Sequence, residues 1–155
     1  LPSVTTLGLA YTPNEKLSIV LDVNYVGWKA YDTLAFDYAT NTSSLVDTKS
    51  ARKYENIVAF RAGVDYKITS KIAARIGGGY GISPIQSGYV TPESPDNNRV
   101  YGTLGLGYHL NEHFKVDASF YATKIERTDR NMESGLSGTF TTIALAPGIG
   151  LTYNW

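Results

Sequence analysis

An all-β fold, an antiparallel transmembrane β-barrel wall of about seven strands, is what this 155-residue sequence predicts on three observations. Apolar and polar residues alternate with period two along most of the chain. The connections between alternating stretches switch strictly between tight turns and long polar segments. A Gly-x-x-Tyr repeat closes several strands at the same end.

Period two is the mark of a strand with two different faces. In residues 16–28 one face reads Leu17, Ile19, Leu21, Val23 and Tyr25, while the other reads Ser18, Val20, Asp22, Asn24 and Val26. In 56–67, Val58, Phe60, Ala62, Val64 and Tyr66 oppose Ala59, Arg61, Gly63, Asp65 and Lys67. In 113–123, Phe114, Val116, Ala118, Phe120 and Ala122 oppose Lys115, Asp117, Ser119, Tyr121 and Thr123. Further strands are expected over 5–12, 71–82, 99–110 and 138–154. Many approach the ~10 residues that a tilted strand needs to cross a bilayer.

A soluble sandwich also alternates, so the connections carry more weight. Thr12-Pro13-Asn14-Glu15, Thr69-Ser70 and Asn111-Glu112 are built of turn formers. Between them lie long segments around 29–55, 83–98 and 124–137. Outer-membrane barrels show this asymmetry, with the short turns in the periplasm. The repeat reads Gly8-Leu-Ala-Tyr11, Gly63-Val-Asp-Tyr66, Gly105-Leu-Gly-Tyr108 and Gly150-Leu-Thr-Tyr153, and it sets each Tyr on the apolar face beside a short turn or the C-terminus. A phenol is most stable with its ring in lipid and its hydroxyl at the water boundary. Trp155 shares the face of Leu151 and Tyr153, where outer-membrane barrels commonly carry an aromatic for assembly.

Charge assigns the faces, because a charge turned to lipid at mid-depth costs a few kcal/mol. The inward face is expected to carry Asp22, Asn24, Arg61, Asp65, Arg75, Tyr101, Thr103, Lys115, Asp117, Ser119 and Tyr121. Gly77, Gly79, Gly105 and Gly107 share it, leaving room for another segment or a ligand close to the wall. Pro147 predicts a bulge or local opening in the last strand.

Composition excludes several classes. Lys+Arg and Asp+Glu are both 14, so no basic surface for nucleic acid is expected. There is no cysteine, which rules out disulfides and thiolate metal sites. No stretch approaches the ~20 apolar residues of a membrane helix. Leu1 to Tyr11 lacks a basic start and an apolar core, so it is not expected to be a signal peptide. His109 and His113 flank a turn and are expected to be solvated, not metal-binding. Ser119 has no arguable base and orienting acid. Gly77-Gly78-Gly79 has no following helix to make a phosphate loop. Asp22, Asp65 and Asp117 are expected to pair with Arg61, Arg75 and Lys115, and Asp96 and Arg99 to organise their loop. No catalytic residue, cofactor or metal is expected.

Three groups of residues carry a family resemblance: Gly79-Tyr80-Gly81-Ile82-Ser83-Pro84, Pro95-Asp96-Asn97-Asn98-Arg99, and Leu104-Gly105-Leu106-Gly107-Tyr108. Leu1-Pro2, Leu7-Gly8-Leu9-Ala10-Tyr11-Thr12-Pro13, and Asp22-Val23-Asn24-Tyr25 with Trp28 add to it. Together they resemble the FadL/TodX family of outer-membrane transporters for long-chain fatty acids and other hydrophobic compounds. The resemblance runs over 1–155 and corresponds to the C-terminal half of a family member. It implies a barrel of about fourteen strands whose N-terminal hatch and remaining strands are not in this sequence. Passive transport of hydrophobic small molecules across the outer membrane is therefore expected. The partners would be outer-membrane lipid, the ligand, and either the missing N-terminal half or another chain that completes the barrel.

Arg61, Arg75, Tyr101 and Tyr121 are the candidate ligand-binding residues: the arginines face a carboxylate, the tyrosines line the lumen. Two other functions remain open on the residues alone. One is a scaffold barrel that holds partner proteins for secretion or surface display. The other is a small soluble lipid-binding barrel.

Overall fold

A computed structural model describes residues 1–155. Its strands are β1 (Val4–Asn14), β2 (Leu17–Val26), β3 (Thr33–Phe36), β4 (Thr48–Ala51), β5 (Ile57–Lys67), β6 (Ile72–Gly81), β7 (Arg99–His109), β8 (Phe114–Arg130) and β9 (Ser137–Tyr153). Seven of them form one open antiparallel meander in the order β1-β2-β5-β6-β7-β8-β9. Each predicted strand is present. The register keeps faces intact across the sheet: Leu9, Leu21, Ala62, Gly78, Gly102, Ala122 and Leu145 form one outward row.

Turn chemistry fixes that register at the short end. Asn14 Oδ1 accepts from the N–H groups of Lys16 and Leu17 at 2.9 and 3.0 Å. Thr69 Oγ1 does the same for Lys71 and Ile72, and Asn111 Oδ1 for His113 and Phe114. A one-residue slip would turn every apolar side chain into the lumen.

The apolar face is bare. Ile76, Leu104, Ile149 and Leu151 are 60, 58, 84 and 78% exposed, and 12 of 155 residues are buried. A soluble monomer rarely exposes an apolar patch beyond a few hundred Å²; a lipid-facing wall must. Tyr11, Tyr66, Tyr108 and Tyr153 stand on this face at the end of the short turns, Tyr153 as the last residue of β9. A second aromatic girdle, Tyr25, Phe60 and Tyr80, marks the other boundary. On β9 the outward residues from Tyr153 to Ile143 span roughly 25 Å of depth at a tilt of about 40°.

Three expectations need correction. The segment 124–137 is not a long loop: β8 and β9 stay paired up to Arg130↔Ser137, as a ribbon rising beyond the apolar band. The segment 29–55 is not featureless, since β3 and β4 pair within it. Pro147 makes no bulge; it sits opposite Phe120 in an unbroken register.

The buried residues cluster largely outside the membrane. Tyr54, Ile85 and Val90 form a small core packed by Trp28, Tyr31, Tyr89 and Phe140, at the end where the long connections meet.

The two faces differ in what they tolerate. Leu104→Arg should destabilise the folded barrel in lipid by about 2–4 kcal/mol, as expected for a cation at the bilayer midplane. Thr103→Arg, one residue away on the lumenal face, should cost far less. Urea-dependent refolding of both variants into lipid vesicles measures the difference.

Candidate lumenal site and its extracellular cap

Inward side chains fall in cross-strand rows. The middle row reads Gly8, Asp22, Arg61, Gly79, Tyr101, Thr123 and Ala144. Below it, towards the short turns, lies Ala10, Val20, Gly63, Gly77, Thr103, Tyr121 and Ala146. A lumenal depression of about 380 Å³ opens here, with Val20, Gly63, Gly77 and Thr103 among its lining and Arg61 and Arg75 at its margins. A groove of about 490 Å³ on the opposite face, between Tyr66, Ile76, Leu104 and Phe120, faces lipid and is separate from this site.

The inward glycines do not leave the room expected of them. Their neighbours' side chains lie across them instead. A Cβ on Gly79 would fall 2.5–2.7 Å from the outer ring of Tyr101, one on Gly107 2.8 Å from Asp117 Oδ1, and one on Gly148 2.6 Å from Ser119 Oγ. Glycine thus lets a polar or aromatic side chain fold flat against the wall, and the ring of Tyr101 shields the backbone of Gly79.

This packing decides which charges pair. Arg75 Nε donates to Asp65 at 2.5 Å and its Nη1 to Asp117 at 2.7 Å, while Lys115 reaches Asp117 at 2.8 Å. Two cations and two anions neutralise one another there, so Arg75 is committed to the wall. The expected pair Asp22–Arg61 does not form, although the residues are directly opposite in register. Asp22 leans the other way, with Oδ1 2.7 Å from where a Cβ of Gly8 would be. Arg61 has no carboxylate within 4.0 Å and stays exposed to the lumen. Tyr101 and Tyr121 do meet, with ring centroids 5.4 Å apart at 35°. Asn24 was singled out only as polar; it is buried, accepts from Thr6 Oγ1 at 2.7 Å, and leaves Nδ2 unpartnered.

Above the lumen the long connections interlock. Arg99 pairs with Asp96 at 3.0 Å, as expected, and Asn98 Oδ1 accepts from the Ser83 N–H at 3.0 Å. Arg127 on the ribbon donates to the carbonyls of Ile85 and Asp96. Asp129 accepts from the N–H of Gly88, whose φ of 89° is a conformation that favours glycine. Arg52, which is buried, bonds Thr91 and Glu93 at 3.2 and 2.7 Å. Glu133 at the ribbon tip caps β4 through Ala51 N–H and Ser50 Oγ. None of this was visible in the sequence beyond Asp96 and Arg99, because the partners lie 15 to 83 residues apart.

The comparisons with known proteins agree with this architecture. The family described as outer membrane protein transport protein (OMPP1/FadL/TodX) matches over residues 1–155. The chain belongs to that family. Its place is the outer membrane, where the wall is an antiparallel transmembrane barrel segment. A crystal structure of a Pseudomonas aeruginosa FadL homologue has the same fold, with a TM-score of 0.83 and 23% identity. That match covers 98% of this chain and only 35% of the homologue. No curated protein matches.

The cap predicts a pH response. Hydrogen bonding from Arg52 holds the Glu93 carboxyl below the ordinary glutamate range. Burial opposes ionisation of Asp129, but the N–H groups of Arg130 and Gly88 and the Arg127 guanidinium outweigh it and lower its carboxyl. The N–H of Ala51 and then the Ser50 hydroxyl lower that of Glu133. Depressed carboxyls contribute stability that is fully present above their unfolded values, about 4, and is lost as pH falls through the folded ones. Hydrogen exchange at Gly88 and Ala51, corrected for intrinsic rates, should stay slow down to about pH 5 and accelerate below about pH 4. The membrane-embedded amides of β7 should not follow.

Proposed function

We propose that this chain forms part of the wall of a barrel that conducts hydrophobic small molecules, long-chain fatty acids among them, across the outer membrane by passive diffusion. The edges of β1 and β9 pair with the strands that complete the barrel, supplied by an N-terminal half or by another chain. Edge backbone groups left open in lipid would each cost several kcal/mol, so completion is a condition of residence there. No covalent chemistry or cofactor enters the reading.

The observation that carries it is Arg61. Of the arginines on the inward face it alone has no ion pair, and it borders the lumenal depression. A carboxylate passing down the lumen meets one guanidinium that has no ion pair within this wall. Tyr101 lies in its row and Tyr121 in the row just below, and both offer ring surface to the apolar part of the ligand. Arg75 serves the wall by binding Asp65 and Asp117.

Arg61→Ala should reduce uptake of a labelled long-chain fatty acid several-fold in cells that depend on this barrel. Arg75→Ala should chiefly lower barrel stability, because it strands Asp65 and leaves Asp117 to Lys115 alone. If both variants bind and take up the fatty acid as well as the parent does, the assignment of the arginines is wrong.

A further inference from the structure

We propose that the row Arg61, Gly79 and Tyr101, together with Tyr121, is a subsite for an aryl carboxylate, a planar ring bearing a carboxylate on a short spacer, in preference to an alkyl carboxylate of similar size. The inference rests on the reading of the lumen as the ligand's path and names the class of ligand the site favours.

Four observations lead to it. Arg61 is free of carboxylate partners and faces the lumen, so its guanidinium is available to an anion. Tyr101 does not stand away from the wall. Its ring and hydroxyl lie over Gly79, the residue directly opposite Arg61 in the β5–β6 register. Arg61 and Tyr101 therefore flank Gly79 in one inward row, and both line the same lumenal depression. Tyr121 sets a second ring 5.4 Å from the first with a tilt of 35°, and both stay partly exposed on the inward face.

The fourth observation concerns what is lacking around them. Around the two tyrosines the other inward neighbours, Gly77, Thr103, Thr123, Ala144 and Ala146, are small or hydroxylated and give a long alkyl chain little surface to lie on. On the Arg61 side Val20 is the one sizeable apolar neighbour, beside Gly63 and Asp22. Most of the apolar contact that this stretch can offer therefore lies in two aromatic faces. A planar ring uses such faces by offset or edge-on stacking, whereas a flexible alkyl chain must give up rotamer freedom to lie against them. The same pairing of ring and guanidinium recurs nearer the cap. There Trp28 and Tyr54, 5.8 Å apart, and Arg99 border a cavity of about 330 Å³. Arg99 is already paired with Asp96, so that upper station offers ring surface more than charge.

The test uses the complete barrel in lipid vesicles and three probes of similar size: 3-phenylpropanoate, octanoate and uncharged ethylbenzene. Equilibrium binding should favour phenylpropanoate over octanoate by about tenfold. Tyr101→Leu and Tyr121→Leu should each bring the two acids close to parity, and Tyr121→Phe, which keeps the ring, should restore the preference. Arg61→Gln should remove the advantage of phenylpropanoate over ethylbenzene and leave ethylbenzene unchanged. Heat-dependent electrophoretic migration of every variant shows that the barrel has folded. Equal binding of the two acids by the parent, or an undiminished preference in both leucine variants, overturns the aryl subsite and leaves the transport reading standing. Failure of the parent barrel to bind any probe, long-chain fatty acid included, overturns both.

Discussion

An unpaired backbone N–H or C=O in hydrocarbon costs several kcal/mol, because no water is present to replace the partner. The registers from β1 to β9, unbroken except for a shift between Tyr11 and Asn14 beside the first short turn, answer that constraint strand by strand. Once the ladder is obligatory, the side-chain period is fixed at two, and each residue must be either lipid-facing or lumenal. The Pro147 register shows how strict this is. A residue without an N–H stays in line opposite Phe120, since a bulge would turn Ile149 and Leu151 inward and Gly148 and Gly150 to the lipid.

Inside the wall a second rule governs which polar groups are available. At four places a polar side chain folds down onto a glycine that lies in register beside it. Asp22 lies towards Gly8, Asp117 over Gly107, Ser119 over Gly148 and Tyr101 over Gly79. The direction of lean then determines electrostatics. Asp22 is drawn away from Arg61, whereas Asp65 and Asp117 converge on Arg75. Arg61 and Arg75 are of the same type on the same face, yet one is a strut and the other is free.

Strands and faces were legible because lipid enforces the alternation wherever it touches the chain. Legibility stops where the lipid stops. Beyond Ala122 the outward residues of β8 are Lys124, Glu126, Thr128 and Arg130, so the outward face turns polar and the period fades although the pairing continues. β3 and β4 have four residues each, too few to show a period. Of the candidate site, the membership of Arg61, Arg75, Tyr101 and Tyr121 in the inward face followed from alternation. Their division into bound and free did not. That needs the cross-strand register, since Gly8 draws Asp22 aside only because it sits opposite it.

The extracellular cap and the membrane wall are held by different forces, and this separates their responses. The wall owes its shape to backbone pairing in lipid, which pH does not touch. The cap owes its shape to guanidinium–carboxylate and carboxylate–amide bonds around Arg52, Arg127, Asp129 and Glu133, over a core as small as Tyr54, Ile85 and Val90. With so little apolar burial, loss of a few charge-assisted bonds is enough to loosen it. Arg61 lies below that cap, on a strand whose neighbours on both sides are fixed by unbroken ladders. Mobility at the mouth can therefore admit a ligand without disturbing the geometry that would receive it.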